Sequence, residues 1–197
     1  MLQKTVEFFF DVGSPTSYLA FKQLPGLAAA CGATVSYRPM LLGGVFKATG
    51  NASPVSVPAK GRWMQEDIAR WAQRHGVPYA HNPFFPINTL GLMRGAVGLQ
   101  MRRPADFLRY CDTVFDALWR RQLDLGDQRV LGTTLAAAGF DLSAFVALTS
   151  DPEVKTRLIA ITDEAVARGV FGAPTMFVGE CMYFGQDRLD FVREALA

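Results

Sequence analysis

The apolar positions change period along the chain, and the changes divide it into segments. Val6 to Phe10 is a short run of β-branched and aromatic residues, which predicts a buried strand. Asp11-Val12-Gly13-Ser14-Pro15 interrupts it. From Pro15 the spacing is helical, with Tyr18, Leu19, Leu24, Leu27 and Ala28 on the apolar side and Gly32 as the stop. Pro15 suits a first helical position, where its missing N–H would be unpaired anyway. Thr34 to Pro39 alternates and predicts a second strand. A strand-helix-strand opening favours a parallel pair with a right-handed crossover. Residues 43–60, rich in Gly, Ala, Ser and Pro, predict a long loop, and long ordered loops are often functional. Helical spacing follows over about 61–75, 88–101, 104–121, 127–138, 141–149 and 151–168, the last opening on Asp151-Pro152-Glu153. Beyond Gly169, Thr175 to Val178 and Cys181 to Phe184 flank Gly179-Glu180 as a hairpin, and Asp187 to Leu196 reads as a closing amphipathic helix.

Composition narrows the class of protein. With 197 residues, half of them hydrophobic, the chain can bury one core comfortably and two only marginally. Twenty basic and 18 acidic residues leave a net charge of +2, which gives no electrostatic preference for nucleic acid or an anionic membrane. The N-terminal residues lack a basic segment followed by a long apolar one, so no signal peptide is expected. No membrane span is expected either, and the location expected is the cytoplasm. Cys31, Cys111 and Cys181 are far apart and odd in number, which suits buried small side chains in a reducing compartment. Two histidines, His75 and His81, do not suggest a metal site and are expected in or after an exposed helix end.

Three segments carry candidate chemistry. Ser14 lies at the first strand-to-helix turn, where free N–H groups and the helix dipole favour an anion. It is either a simple N-cap or a hydroxyl that donates to a neighbouring thiolate and lowers that thiol's pKa. Ala173-Pro174 precedes a strand. An ordinary trans bond and a cis bond that presents the Ala173 backbone to an extended peptide are both open. Asp187 in Phe184-Gly185-Gln186-Asp187-Arg188-Leu189 either caps the last helix or helps hold a ligand.

Taken in order, these segments resemble the glutathione-dependent branch of the DsbA-like thioredoxin superfamily, the 2-hydroxychromene-2-carboxylate isomerases and kappa-class glutathione transferases. The resemblance spans essentially the whole chain. It rests on Phe9 to Leu19, Gly50-Asn51 with Pro58-Ala59-Lys60-Gly61, Pro86-Ile87-Asn88-Thr89, Val170 to Thr175, and Phe184 to Leu189. Ser14-Pro15-Thr16-Ser17 stands where a redox relative has Cys-Pro-x-Cys, and this argues against dithiol exchange. The resemblance implies an α/β thioredoxin-like fold as one domain over 1–197, with the core at about 1–42 and 169–197 and an all-helical insertion at about 43–168. It implies glutathione as cofactor and a homodimer. It implies that Ser14 activates the glutathione thiol and that Asn51 and Lys60 hold polar and carboxylate groups. Ala173, before Pro174, would pair with the cysteinyl backbone, and Gln186 and Asp187 would bind the γ-glutamyl end. Ala173 is smaller than the aliphatic residue common at that place. Phe46, Trp63, Phe84, Phe85, Tyr183 and Phe184, with Asn88, are candidates for the wall of a flat aromatic substrate, although aromatic residues more often belong to cores. The activity implied is isomerisation by reversible thiolate addition. A kappa-like transferase or peroxidase and a non-catalytic glutathione- or peptide-binding protein are the alternatives.

Overall fold

The computed structural model describes residues 4–197. The elements follow the order β1 (Thr5–Phe10), α1 (Pro15–Ala30), β2 (Thr34–Pro39), α2 (Leu42–Thr49), α3 (Pro58–Arg74), α4 (Leu90–Arg102) and α5 (Pro104–Trp119). They continue with α6 (Gln128–Ala137), α7 (Leu142–Ser150), α8 (Pro152–Ala167), β3 (Thr175–Val178), β4 (Cys181–Phe184) and α9 (Leu189–Leu196). The four strands form one sheet in the order β2-β1-β3-β4. β1 runs parallel to β2, with Phe8 opposite Tyr37, and antiparallel to β3, with Phe8 opposite Met176. The first and last strands therefore share a sheet, and the helices α2 to α8 lie between them in sequence. This is the thioredoxin-like α/β arrangement that the changes of period predict.

The alternation of β1 sends its phenylalanines to both faces. Phe8 and Phe10 stack at 5.1 Å, and Phe10 also meets Tyr37 of β2 and Phe115 of α5. Phe9 points to the other face, edge-on to Phe177 of β3. There the Arg168 guanidinium sits 3.8 Å from the Phe177 ring centre and pairs with Glu7 at 2.8 Å. Within the helical block, α4 and α7 approach closely because α4 carries glycine at the contact. A Cβ at Gly98 would stand 2.4 Å from Leu148 Cγ, and one at Gly95 would stand 2.5 Å from Phe145 Cε2. Overlap of that size outweighs the roughly 1 kcal/mol of helix propensity that alanine would gain over glycine.

Three expectations need correction. Residues 43–60 are not one loop. α2 occupies Leu42–Thr49, a 3₁₀ turn covers Pro54–Ser56, and α3 begins at Pro58. The two glycines of Leu-Gly-Gly-Val-Phe-Lys-Ala-Thr weaken helix propensity, but tertiary contacts override it. Val45 is fully buried, Leu41 N–H donates to Thr162 Oγ1 at 3.0 Å, and Leu42 N–H donates to Asp11 Oδ2 at 2.9 Å. The last helix starts at Leu189, after a 3₁₀ turn over Gln186–Arg188, and Asp187 makes no side-chain cap to it. Of the three free cysteines only Cys111 is buried; Cys31 is half-buried at the end of α1, and Cys181 is exposed on the outermost strand β4. Burial pushes the Cys111 thiol up, away from reactivity. Phe85 is half-buried against Trp119, at 5.7 Å between ring centres, which suits the packing role that aromatic residues more often take.

Candidate functional site

The β1–α1 turn is fixed from below by a buried carboxylate. Asp11 is 1% exposed, and its oxygens accept from Gly13 N–H at 2.9 Å, Leu42 N–H at 2.9 Å and Thr89 Oγ1 at 3.0 Å. One side chain thus ties the turn to the start of α2 and to the entry of α4. Burial pushes its carboxyl above the usual range, and the three donors oppose that shift. Gly13 is required sterically, since a Cβ there would lie 2.7 Å from Thr89 Cγ2. Val12 is gripped on both sides: its carbonyl accepts from the Trp119 indole at 2.8 Å, and its N–H points at Met93 Sδ at 3.4 Å.

On this base Ser14 is both cap and contact. It precedes α1 in an extended conformation, and its Oγ accepts from Ser17 N–H at 3.1 Å. The same oxygen lies 3.1 Å from the Ala173 carbonyl oxygen and 3.0 Å from Thr16 Oγ1. Thr16 Oγ1 also donates to Ala173 O, at 3.2 Å. Ser14 is 4% exposed, and no acidic residue stands in the first turn of α1. The helix end therefore keeps its attraction for an anion. The Ala173–Pro174 bond is cis, and Gly185 N–H donates to Pro174 O at 3.0 Å, joining this loop to the β4–α9 connection. Phe85–Pro86 is a second cis bond, one the sequence reading did not single out.

The other expected residues distribute as follows. Asn51 ties the α2–α3 connection to the same loop, its Nδ2 donating to Phe171 O at 2.8 Å. Lys60 is exposed in the first turn of α3 and forms no ion pair among the described residues. Gln186 is 4% exposed, and its Oε1 has no hydrogen-bond partner among the described residues. Asp187 is exposed and pairs with Arg188 at 2.8 Å. Phe184 packs on Phe171, ring centres 4.5 Å apart, and both remain partly exposed. Phe46 on α2 and Tyr183 on β4 are half-buried. Trp63 is 59% exposed and Phe84 52% exposed. Neither stacks on the Phe171–Phe184 pair nor bonds to the Ser14 cluster among the described residues. Asn88 is exposed, and its Oδ1 accepts from Leu90 N–H at 3.0 Å to shape the start of α4. Contacts thus join Ser14, Ala173, Pro174 and Asn51 around one loop, whereas Lys60, Trp63 and Phe84 make no hydrogen bond or ring contact with it among the described residues. Asp11 and Thr16 shape the turn around Ser14 through contacts that the sequence reading left unassigned. The sequence signal for Asp11 was its place in the Phe9 to Leu19 run on which the resemblance rests.

This fold and this turn belong to a known class. The model of the DSBA-like thioredoxin domain family matches residues 5–197, and the chain belongs to that family. Within it, the chain is 32% identical over 197 residues to the 2-hydroxychromene-2-carboxylate isomerase of Sphingobium xenophagum, covering 99% of each chain. It is 29% identical over 203 residues to glutathione S-transferase kappa 1 of Caenorhabditis elegans, covering 97% of this chain and 90% of that one. A solved structure of a 2-hydroxychromene-2-carboxylate isomerase superposes with a TM-score of 0.85 at 31% identity, covering 98% of this chain and 94% of that one.

Proposed function

We propose that this protein is a glutathione-dependent isomerase that converts 2-hydroxychromene-2-carboxylate to trans-o-hydroxybenzylidenepyruvate. The observation that carries the reading is the Ser14 hydroxyl, held at the open N-terminus of α1 and facing the Ala173 carbonyl. Serine there cannot exchange disulfides, but it can donate to a thiolate supplied from outside. Identities of 32–33% to the isomerases, against 27–30% to the kappa-class transferases, support this choice over the transferase or peroxidase. The relatives are named as enzymes, so the non-catalytic alternative gains no support.

The residues present fit glutathione. The γ-glutamyl end carries an ammonium, and the Gln186 Oε1 is a buried acceptor that lacks a donor among the described residues. Lys60, without an ion pair among the described residues, offers a cation for a carboxylate, and Asp187 offers a carboxylate shared with Arg188. The peptide edge at Ala173–Pro174 would hold the cysteinyl backbone. Asn51 would act by keeping the α2–α3 connection against Phe171, and also by facing polar groups of the peptide. Glutathione, when bound, supplies a thiolate that adds reversibly to the conjugated chromene and leaves again. Ser14 and the first turn of α1 stabilise that negative charge and orient it. Phe171 and Phe184 form one aromatic wall; Phe46, Trp63, Phe84, Asn88 and Tyr183 are the remaining candidates for contact with the flat substrate.

On this reading the chain is a single domain, its thioredoxin-like core at about 1–42 and 169–197 and its helical insertion at about 43–168. It works as a homodimer in the cytoplasm, where three free cysteines suit reducing conditions. No single helix among the described residues is long and apolar enough to cross a membrane. Purified protein should turn over the chromene carboxylate only when glutathione is added, and should act poorly on a chlorodinitrobenzene-type electrophile. Turnover without glutathione, or preference for the second electrophile, would overturn the assignment.

A further inference from the structure

Ser14 Oγ, Thr16 Oγ1 and Ala173 O form a triangle with sides of 3.0, 3.1 and 3.2 Å. Two hydroxyl protons serve three oxygens, and Ser14 Oγ already accepts from Ser17 N–H. The distances admit two arrangements. In one, Thr16 donates to Ser14 and Ser14 donates to Ala173 O. In the other, Thr16 donates to Ala173 O and the Ser14 proton is released to point elsewhere. The Ala173 carbonyl stays bonded in both. Without the Thr16 hydroxyl, Ser14 would have to desert that carbonyl before it could donate outward. A half-buried acceptor stripped of its donor carries a cost, and that cost would be charged to every encounter of Ser14 with an anion.

We propose that Thr16 is a positioning residue that takes over the Ala173 carbonyl and so frees the Ser14 proton for the bound thiolate. This rests on the glutathione-dependent reading above. Thr16 sits at the second position of α1, half-buried, with its hydroxyl turned to the loop rather than to helix carbonyls. Its effect passes through Ser14 alone, since the only proton it moves onto the thiolate's partner list is that of Ser14.

The test is the pKa of the protein-bound glutathione thiol, read from ultraviolet thiolate absorbance against pH. Thr16→Val keeps the side-chain shape and removes the hydroxyl. It should raise the bound thiol pKa by about 0.5–1 unit, equivalent to about 0.7–1.4 kcal/mol at 1.36 kcal/mol per unit. Thr16→Ser should restore the wild-type value. Thr16→Ala serves as a second removal if the valine perturbs the turn. Ser14→Ala alone should raise the pKa, and adding Thr16→Val to it should change nothing more, because the pair is coupled. An unshifted Thr16→Val beside a shifted Ser14→Ala would overturn the role of Thr16 and leave the functional reading intact. A further shift in the double variant would make Thr16 a direct donor to the thiolate and reject the positioning role. Wild-type protein that fails to bind glutathione would remove the functional reading and this inference together.

Discussion

Replacing Ser14 by alanine is expected to lower turnover roughly ten- to a thousand-fold, the range found when one donor to a developing catalytic anion is removed. The same change should cost about 1 kcal/mol of stability, because the hydroxyl also caps α1 through Ser17 N–H. Both effects are expected together, since on the proposed reading one oxygen serves both contacts. What separates them is proportion. A pure cap would lose its 1 kcal/mol and keep its rate at temperatures where the protein is folded. A donor to the thiolate loses rate under the same conditions, and the bound thiol titrates at higher pH. Turnover and denaturant midpoint measured on one preparation of the variant distinguish the two. Activity within a factor of two of wild type would reduce Ser14 to a cap.

The second large effect is expected at Asp11. Alanine there would strand the Gly13 and Leu42 N–H groups and the Thr89 hydroxyl in the interior. A buried donor left unsatisfied costs about 1–3 kcal/mol, so the loss should reach about 3 kcal/mol or more. Relief from holding a carboxylate away from water offsets part of this. Asp11→Asn should cost less than alanine, yet still more than nothing, because its amide NH₂ must face one of the donors. Turnover should fall in both, since the turn that carries Ser14 and the start of α2 share this anchor. The pH dependence has a definite sign. Burial raises the folded pKa above its unfolded value, so the folded state binds the proton more tightly. The contribution of Asp11 is then fully present below the unfolded carboxylate range and is lost as pH rises through the folded value. Denaturant unfolding of wild type and Asp11→Ala at several pH values should show the gap narrowing as pH rises. A gap that widens with pH, or a cost below 1 kcal/mol at every pH, would contradict this account of the turn.

Much of this architecture was legible because periodicity and punctuation agree at its ends. The β1 run, the stop at Asp11 to Pro15 and the hairpin around Gly179-Glu180 are local signals, and the structure keeps them. α2 was not legible, because its two glycines argue against a helix and its stability comes from Asp11 and Thr162, distant in sequence. The start of the last helix was misread for a related reason. Gly185 takes a positive φ of 103° and its N–H bonds to Pro174 across the fold, so Gln186 to Arg188 tighten into a 3₁₀ turn before α9 begins. Within the site, Ser14 and Ala173 were readable as motif residues. Thr16 was not, because its meaning depends on a carbonyl 157 residues away.

The central claim is that a thiolate is activated here and returned unchanged. It is tested most directly by following free thiol against time with the chromene carboxylate in large excess over glutathione. The account predicts many turnovers per glutathione with a constant thiol titre, and product that carries no sulfur. A reaction that stops after one equivalent of glutathione, with thiol falling in step with product, would contradict it and make the protein a transferase.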